Sequence, residues 1–125
     1  MASNRNLLLG CWQRIEQVDD QNQLKEFAVL LEDGSYEFSF SIYNEVGELQ
    51  EQSIERGNWG LVGDIHFTIA KQEITEAGSF MNDLANEDNY HAYRVLVLDK
   101  KIFKYQHIVS NEVFILERVI DKIIH

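Results

Sequence analysis

Gly57-Asn58-Trp59-Gly60-Leu61-Val62-Gly63-Asp64-Ile65-His66-Phe67-Thr68-Ile69 reads as two strands joined by a tight turn. Trp59 and Leu61 alternate before the turn, and Ile65, Phe67 and Ile69 alternate after it. Period-two alternation around a Val62-Gly63-Asp64 break is the pattern of an antiparallel hairpin with one buried face. Similar units flank it on both sides. Before it, Glu32-Asp33-Gly34-Ser35 is the strongest turn signal in the chain, because Asp-Gly supplies the positive φ values of a tight hairpin. Tyr36, Phe38, Phe40 and Ile42 then alternate with more polar neighbours.

Working outward, Leu7 to Val18 reads as a first strand after a polar Met1–Asn6 tail, and Phe27, Val29 and Leu31 alternate through a second. Leu49 to Val62 is long for one strand, and its Gly57 and Gly60 predict a bend or bulge of the kind that closes a barrel. After Ile65–Ile74 the alternation stops. Residues 75–89 form the longest irregular connection, with Ser79 as an expected N-cap and Phe80, Met81 and Leu84 as the apolar side of a short helix. Such a connection is a candidate gate or an end plug. Tyr90–Leu98, Ile102–Ile108 and Val113–Ile120 complete about eight strands, and a short tail, Asp121–His125, follows. Short connections leave no room for crossover helices. The expectation is one all-β domain over residues 1–125, an antiparallel up-and-down barrel with a short helix or loop near residues 75–89.

Two short motifs carry a family resemblance. Gly10-Cys11-Trp12 is a G-x-W at the start of the first strand, and Arg118 lies on the last. The pairing resembles the lipocalin pattern, in which the first-strand Trp closes the barrel base and a late Arg packs across its indole. The Gly57–Asp64 segment, a second G-x-W running into a Gly-Asp turn, and the Glu32–Tyr36 turn resemble small bacterial lipocalin-like domains of the calycin type. The resemblance implies a barrel with capacity for a small molecule. It carries no particular ligand across, because the family's ligand residues are not a fixed motif.

The formal net charge is −10 over 125 residues. That field repels phosphate backbones and anionic lipid, so neither nucleic acid nor a membrane is expected as a partner, whereas a cationic ligand or basic partner is compatible with it. Leu8-Leu9-Gly10-Cys11 has the form of a lipoprotein box, but the apolar run of three leucines falls short of the roughly 7–15 residues of a signal peptide. A cytoplasmic location is the expectation, and the single cysteine, Cys11, is expected to be an inert thiol.

Candidate chemistry is sparse. Serines lack a G-x-S-x-G elbow, no carboxylate pair stands out from surface charge, and an enzyme is not expected. His66, His91, His107 and His125 lack metal-ligand spacing, so no metal and no cofactor is expected, although His91 and His107 would meet if their faces pointed inward. Arg94, if inside, would hold a ligand carboxylate. The expected lining of the lumen is Tyr36, Phe38, Phe40, Trp59, Phe67, Tyr93 and Arg94, around a small, largely apolar ligand. The alternative is an interaction module, including a homodimer, whose large rings fill the barrel completely.

Overall fold

The structure, a computed structural model, describes residues 5–120. The chain enters through a four-residue helix, α1 (Arg5–Leu8), and then forms strands β1 (Gly10–Gln17), β2 (Gln23–Leu30), β3 (Ser35–Tyr43) and β4 (Leu49–Val62). There follow β5 (Ile65–Thr75), β6 (Gly78–Met81), a 3₁₀ turn at Glu87–Asn89, β7 (Tyr90–Leu98), β8 (Ile102–His107) and β9 (Val113–Arg118). All pairings are antiparallel, in the order β4-β3-β2-β1-β9-β8-β7-β5, and β4 pairs with β5 to close the ring. Eight strands thus make a closed barrel, and β6 is a short appendage on the upper end of β5. The expected Asp121–His125 tail, with His125, and the first four residues lie outside the described residues.

Three segments differ from expectation for local physical reasons. Leu7 and Leu8 belong to α1 rather than to the first strand; Leu8 turns inward and is fully buried. Phe80 and Met81 lie on β6, which extends the β5 hairpin beyond Glu76-Ala77, so the ladder to Gln72–Thr75 supplies the backbone bonds a helix would have made. Ser79 caps nothing; its hydroxyl accepts from Gln72, and the helical turn starts later, capped by the Asn86 side chain. The bend expected in the long strand is present: the β4–β5 register shifts between Arg56 and Gly57. A Cβ at Gly57 would stand 1.9 Å from the Ile69 carbonyl oxygen and 3.0 Å from the Tyr36 ring, so only glycine fits the bulge.

Successive hairpin turns alternate between the two ends of a barrel. At the end that carries the β2–β3, β4–β5 and β7–β8 turns, the lumen is packed solid. Leu8, Trp12, Ala28, Leu30, Trp59 and Phe103 form its centre, with Leu116 beneath. The Trp12 indole N–H donates to the Leu8 carbonyl at 2.9 Å, and the Trp59 indole N–H donates to the Leu31 carbonyl at 3.0 Å. Each indole also carries a guanidinium: Arg118 lies 4.1 Å over Trp12, and Arg5 lies 4.6 Å over Trp59. Arg118 further donates to the carbonyls of Leu7, Leu9 and Lys100, which ties β9 to the start of the chain. Gly10, at φ +110°, leaves the room that Arg118 needs; a Cβ there would meet its Nη1 at 2.8 Å.

The seam between β1 and β9 is short. Only Trp12↔Arg118 and Gln13↔Glu117 pair across it. Above those pairs the two strands part and leave a groove lined by Gln13, Arg14, Ile15, Ile115 and Glu117, with the Arg14 guanidinium 5.2 Å from the Phe114 ring centroid.

Arg118→Ala removes three carbonyl bonds and the indole contact together. The expected loss of unfolding free energy in urea is about 2–4 kcal/mol. Arg118→Lys should recover less than half of it, because an ammonium cannot reach three carbonyls as a planar fork does. A loss under about 0.5 kcal/mol would show that the closed end does not depend on this residue.

Candidate functional site

At the other end of the barrel, above the packed floor, lies a cavity of about 170 Å³. Its apolar walls are Phe38 and Phe40 from β3 and Phe114 from β9; Tyr93 from β7 and Tyr105 from β8 add rings that end in hydroxyls. The rest of its lining is polar: Arg14 from β1, Glu26 from β2, Glu55 from β4, Thr68 from β5 and His91 from β7. Period-two alternation brings each of these inward on its strand.

The polar groups are organised in pairs. Arg14 Nε donates to Glu26 at 2.6 Å, and both side chains are largely buried. Burial pushes the Glu26 carboxyl up, and the guanidinium opposes that shift. The Tyr36 hydroxyl donates to Glu55 at 2.6 Å; burial raises the phenol strongly, and the neighbouring carboxylate raises it further. Tyr93 is pushed up to about 12, first by burial and then by Glu55 and Glu26. Burial also holds the Tyr105 phenol well above its ordinary value, with Glu26 adding to it.

His91 and His107 do meet at the rim. The backbone N–H groups of Val109 and Ser110 donate to His107 Nδ1 at 3.1 and 3.2 Å, which leaves its proton on Nε2. That Nε2 lies 3.1 Å from His91 Nδ1 and donates to it. Both facing nitrogens are therefore committed to each other.

His66 sits on the floor of the cavity region, 2% exposed, against Trp59, Tyr93, Phe103 and Tyr105. Its Nδ1 has no hydrogen-bond partner among the described residues. Burial lowers its pKa to about 4, partly offset by a bond to the Gly60 backbone.

Of the residues expected to line the lumen, Phe38, Phe40 and Tyr93 reach the cavity. Tyr36 and Trp59 face inward too but belong to the packed core. Phe67 and Arg94 are corrections: both point outward. Trp59 pairs with Thr68 and Gly60 with Phe67, so Trp59 and Phe67 occupy opposite faces, and the Phe67 ring lies across Gly60 on the outside. Arg94 is next to the inward Tyr93 and so faces out, where it forms a 3.2 Å ion pair with Asp64 in solvent. On β5 the inward residues are His66, Thr68 and Ala70, not the alternating Ile65, Phe67 and Ile69. On β2 they are Glu26, Ala28 and Leu30.

Sequence reasoning missed Arg14, Glu26 and Glu55 as lumenal residues. Residues 75–89 contribute none of the cavity lining. That segment is held at the same end by Asn82, which donates to Ala70 O and to Asn89, and by the Tyr90 hydroxyl, which donates to Leu84 O.

Among solved structures, the chain matches a lipocalin-like protein from Bacteroides uniformis ATCC 8492 at a TM-score of 0.53, over 90% of this chain and 99% of that one. The fold is lipocalin-like. Identity between the two is 22%, so the likeness concerns the fold alone. No family model matches the sequence, and no curated protein does. A lipocalin-like barrel with an unfilled space in its lumen is compatible with small-molecule binding. Among the described residues, no helix is long and apolar enough to cross a membrane.

The buried imidazole makes the barrel acid-sensitive in a defined window. An unfolded chain protonates His66 near 6.5, whereas the folded one does so only near 4. Between those values the unfolded state binds more protons, so stability falls as pH falls, by roughly 3 kcal/mol at the lower edge. His66→Phe removes that slope. Urea titrations of both proteins from pH 7 to pH 4 should show their difference moving in the variant's favour by that amount. A difference independent of pH would show that His66 is not held neutral by the fold.

Proposed function

We propose that this lipocalin-like barrel is a binding protein for a small molecule of about one ring, held in the lumenal cavity at its unplugged end. The observation that carries the reading is the division of the lumen. One end is filled by tryptophans and leucines, while the other keeps about 170 Å³ between aromatic walls and inward polar groups. A dry cavity of about 150 Å³ already takes benzene, so the volume suits one ring and falls below the roughly 300–1,000 Å³ of drug-sized sites. A long acyl chain does not fit this space. The rings supply contact area, and the hydroxyls of Tyr93, Tyr105 and Thr68 supply orientation. No nucleophile–base pair is part of the reading, which is of binding rather than catalysis.

Benzyl alcohol tests the reading because it carries one ring and one hydroxyl. In titrations of the full chain followed by NMR, the ring signals of Phe38, Tyr93 and Tyr105 should shift and saturate in the millimolar range or below. Thr68→Leu narrows the cavity from β5 and should weaken binding at least tenfold. Arg94→Ala changes an exposed outer residue and should leave it unchanged. Signals that do not move, or binding that Thr68→Leu leaves intact, would refute a lumenal site.

A further inference from the structure

The charges around the cavity do not balance. Two carboxylates, Glu26 and Glu55, face one guanidinium, Arg14. Arg14 is committed: its Nε bonds Glu26 at 2.6 Å, its Nη1 bonds Glu16, and its plane rests on Phe114. Glu55 has no such partner. Its hydrogen bond is from the neutral Tyr36 hydroxyl, and among the described residues no lysine or arginine forms an ion pair with it. Its charge is felt across the lumen, raising Glu26, Tyr36 and Tyr93 alike.

A second observation is independent of the carboxylates. Tyr105 lines the same cavity and is only 8% exposed, yet nothing among the described residues hydrogen-bonds its hydroxyl. Among those residues, the sealed side-chain polar atom without a partner is His66 Nδ1, so the Tyr105 oxygen is not closed off in the packing and opens on the cavity. A buried phenol without a partner is costly unless something in the cavity meets it.

We propose that the ligand of this cavity is a small organic cation, an ammonium group on an apolar body of about one ring. The proposal rests on the lumenal binding reading above. The ammonium donates to Glu55 and to the Tyr105 oxygen, while the body lies against Phe38, Phe40 and Phe114. Aromatic faces are themselves attractive to a cation. A neutral apolar ligand would strip water from Glu55 and leave its charge without a counter-ion. An anion would meet two carboxylates and an arginine already paired with Glu26 and Glu16. The net charge of −10 acts in the same direction by drawing cations towards the protein.

Three probes of similar shape and different charge decide the matter: benzylamine, benzyl alcohol and benzoate, titrated into the full chain by calorimetry near pH 7. Benzylamine should bind at least tenfold tighter than benzyl alcohol, and benzoate should not bind detectably. Glu55→Gln keeps an acceptor for Tyr36 and should cost benzylamine about tenfold while changing benzyl alcohol little. Tyr105→Phe keeps the packing and should cost benzylamine about threefold or more, which provides a second readout if Glu55→Gln does not fold. Benzyl alcohol binding as tightly as benzylamine would overturn the cation and leave the lumenal site standing. A benzylamine preference that survives both substitutions would overturn it as well, as attraction to the acidic surface alone. If none of the three binds, the cavity reading and the cation fail together.

Discussion

Trp12 under Arg118 is the contact on which the rest of the barrel depends. The indole is wholly buried, its N–H is satisfied by the Leu8 carbonyl, and its face is covered by a guanidinium that also bonds three backbone carbonyls. A barrel end is a ring of strand termini with unsatisfied backbone groups, and burying it requires donors as well as bulk. Arg118 supplies both. Arg5 over Trp59 repeats the device on the opposite wall, with the Arg5 guanidinium donating to the Glu32 carbonyl at 2.7 Å. This end is thus closed by side chains from the chain's own first helix.

That division explains how a lumen can tolerate charge. A buried ion pair such as Arg14–Glu26 is poor value for stability, since desolvation rivals the attraction between the partners. Well-packed apolar residues at the same positions would hold the fold at least as firmly. The packed floor of tryptophan, leucine and phenylalanine supplies the burial, and the upper lumen keeps polar groups that contribute little to it. Glu26, Glu55, Tyr105 and His66 thus mark where the sequence departs from what a merely stable barrel would contain.

The fold was legible because turns and alternation are local signals. Asp33-Gly34 and Gly63-Asp64 sit where the hairpins reverse, and the long fourth strand bends at its glycine as expected. The faces were harder to read. In a barrel with a partly polar lumen, the more apolar set of a strand need not be the inner one: on β5 the isoleucines and Phe67 lie outside, while a histidine, a threonine and an alanine lie inside. Parity held the answer. Neighbours such as Tyr93 and Arg94 cannot share a face, and with Gly63-Asp64 as the turn, Trp59 faces Thr68 and not Phe67. Glu26 and Glu55 were unreadable as lumenal for another reason. In a chain with 21 acidic residues, nothing local separates an inward carboxylate from a solvated one. The strand at residues 78–81 was lost to a competing signal, since Ser79 ahead of Phe80, Met81 and Leu84 has the form of a helix start, while the Glu76-Ala77 turn that pairs it with β5 carries no Asn-Gly or Asp-Gly signal.

The brief β1–β9 seam bears on how the molecule assembles. Every other junction in the ring except β5–β7 joins strands that follow one another in sequence, and these can zip from their turns. The seam joins Leu9 to Arg118, 109 residues apart, with two ladder pairs and the Val119 N–H bond to the Cys11 carbonyl to hold it. Closing so large a loop costs chain entropy before any contact repays it, and two pairs repay little. Ring closure therefore waits for the hairpins on both sides to be in place, and it is completed by the guanidinium rather than by the ladder. Until the seam pairs, β1 and β9 each present an open edge, and such edges are where neighbouring chains meet in a crowded refolding mixture.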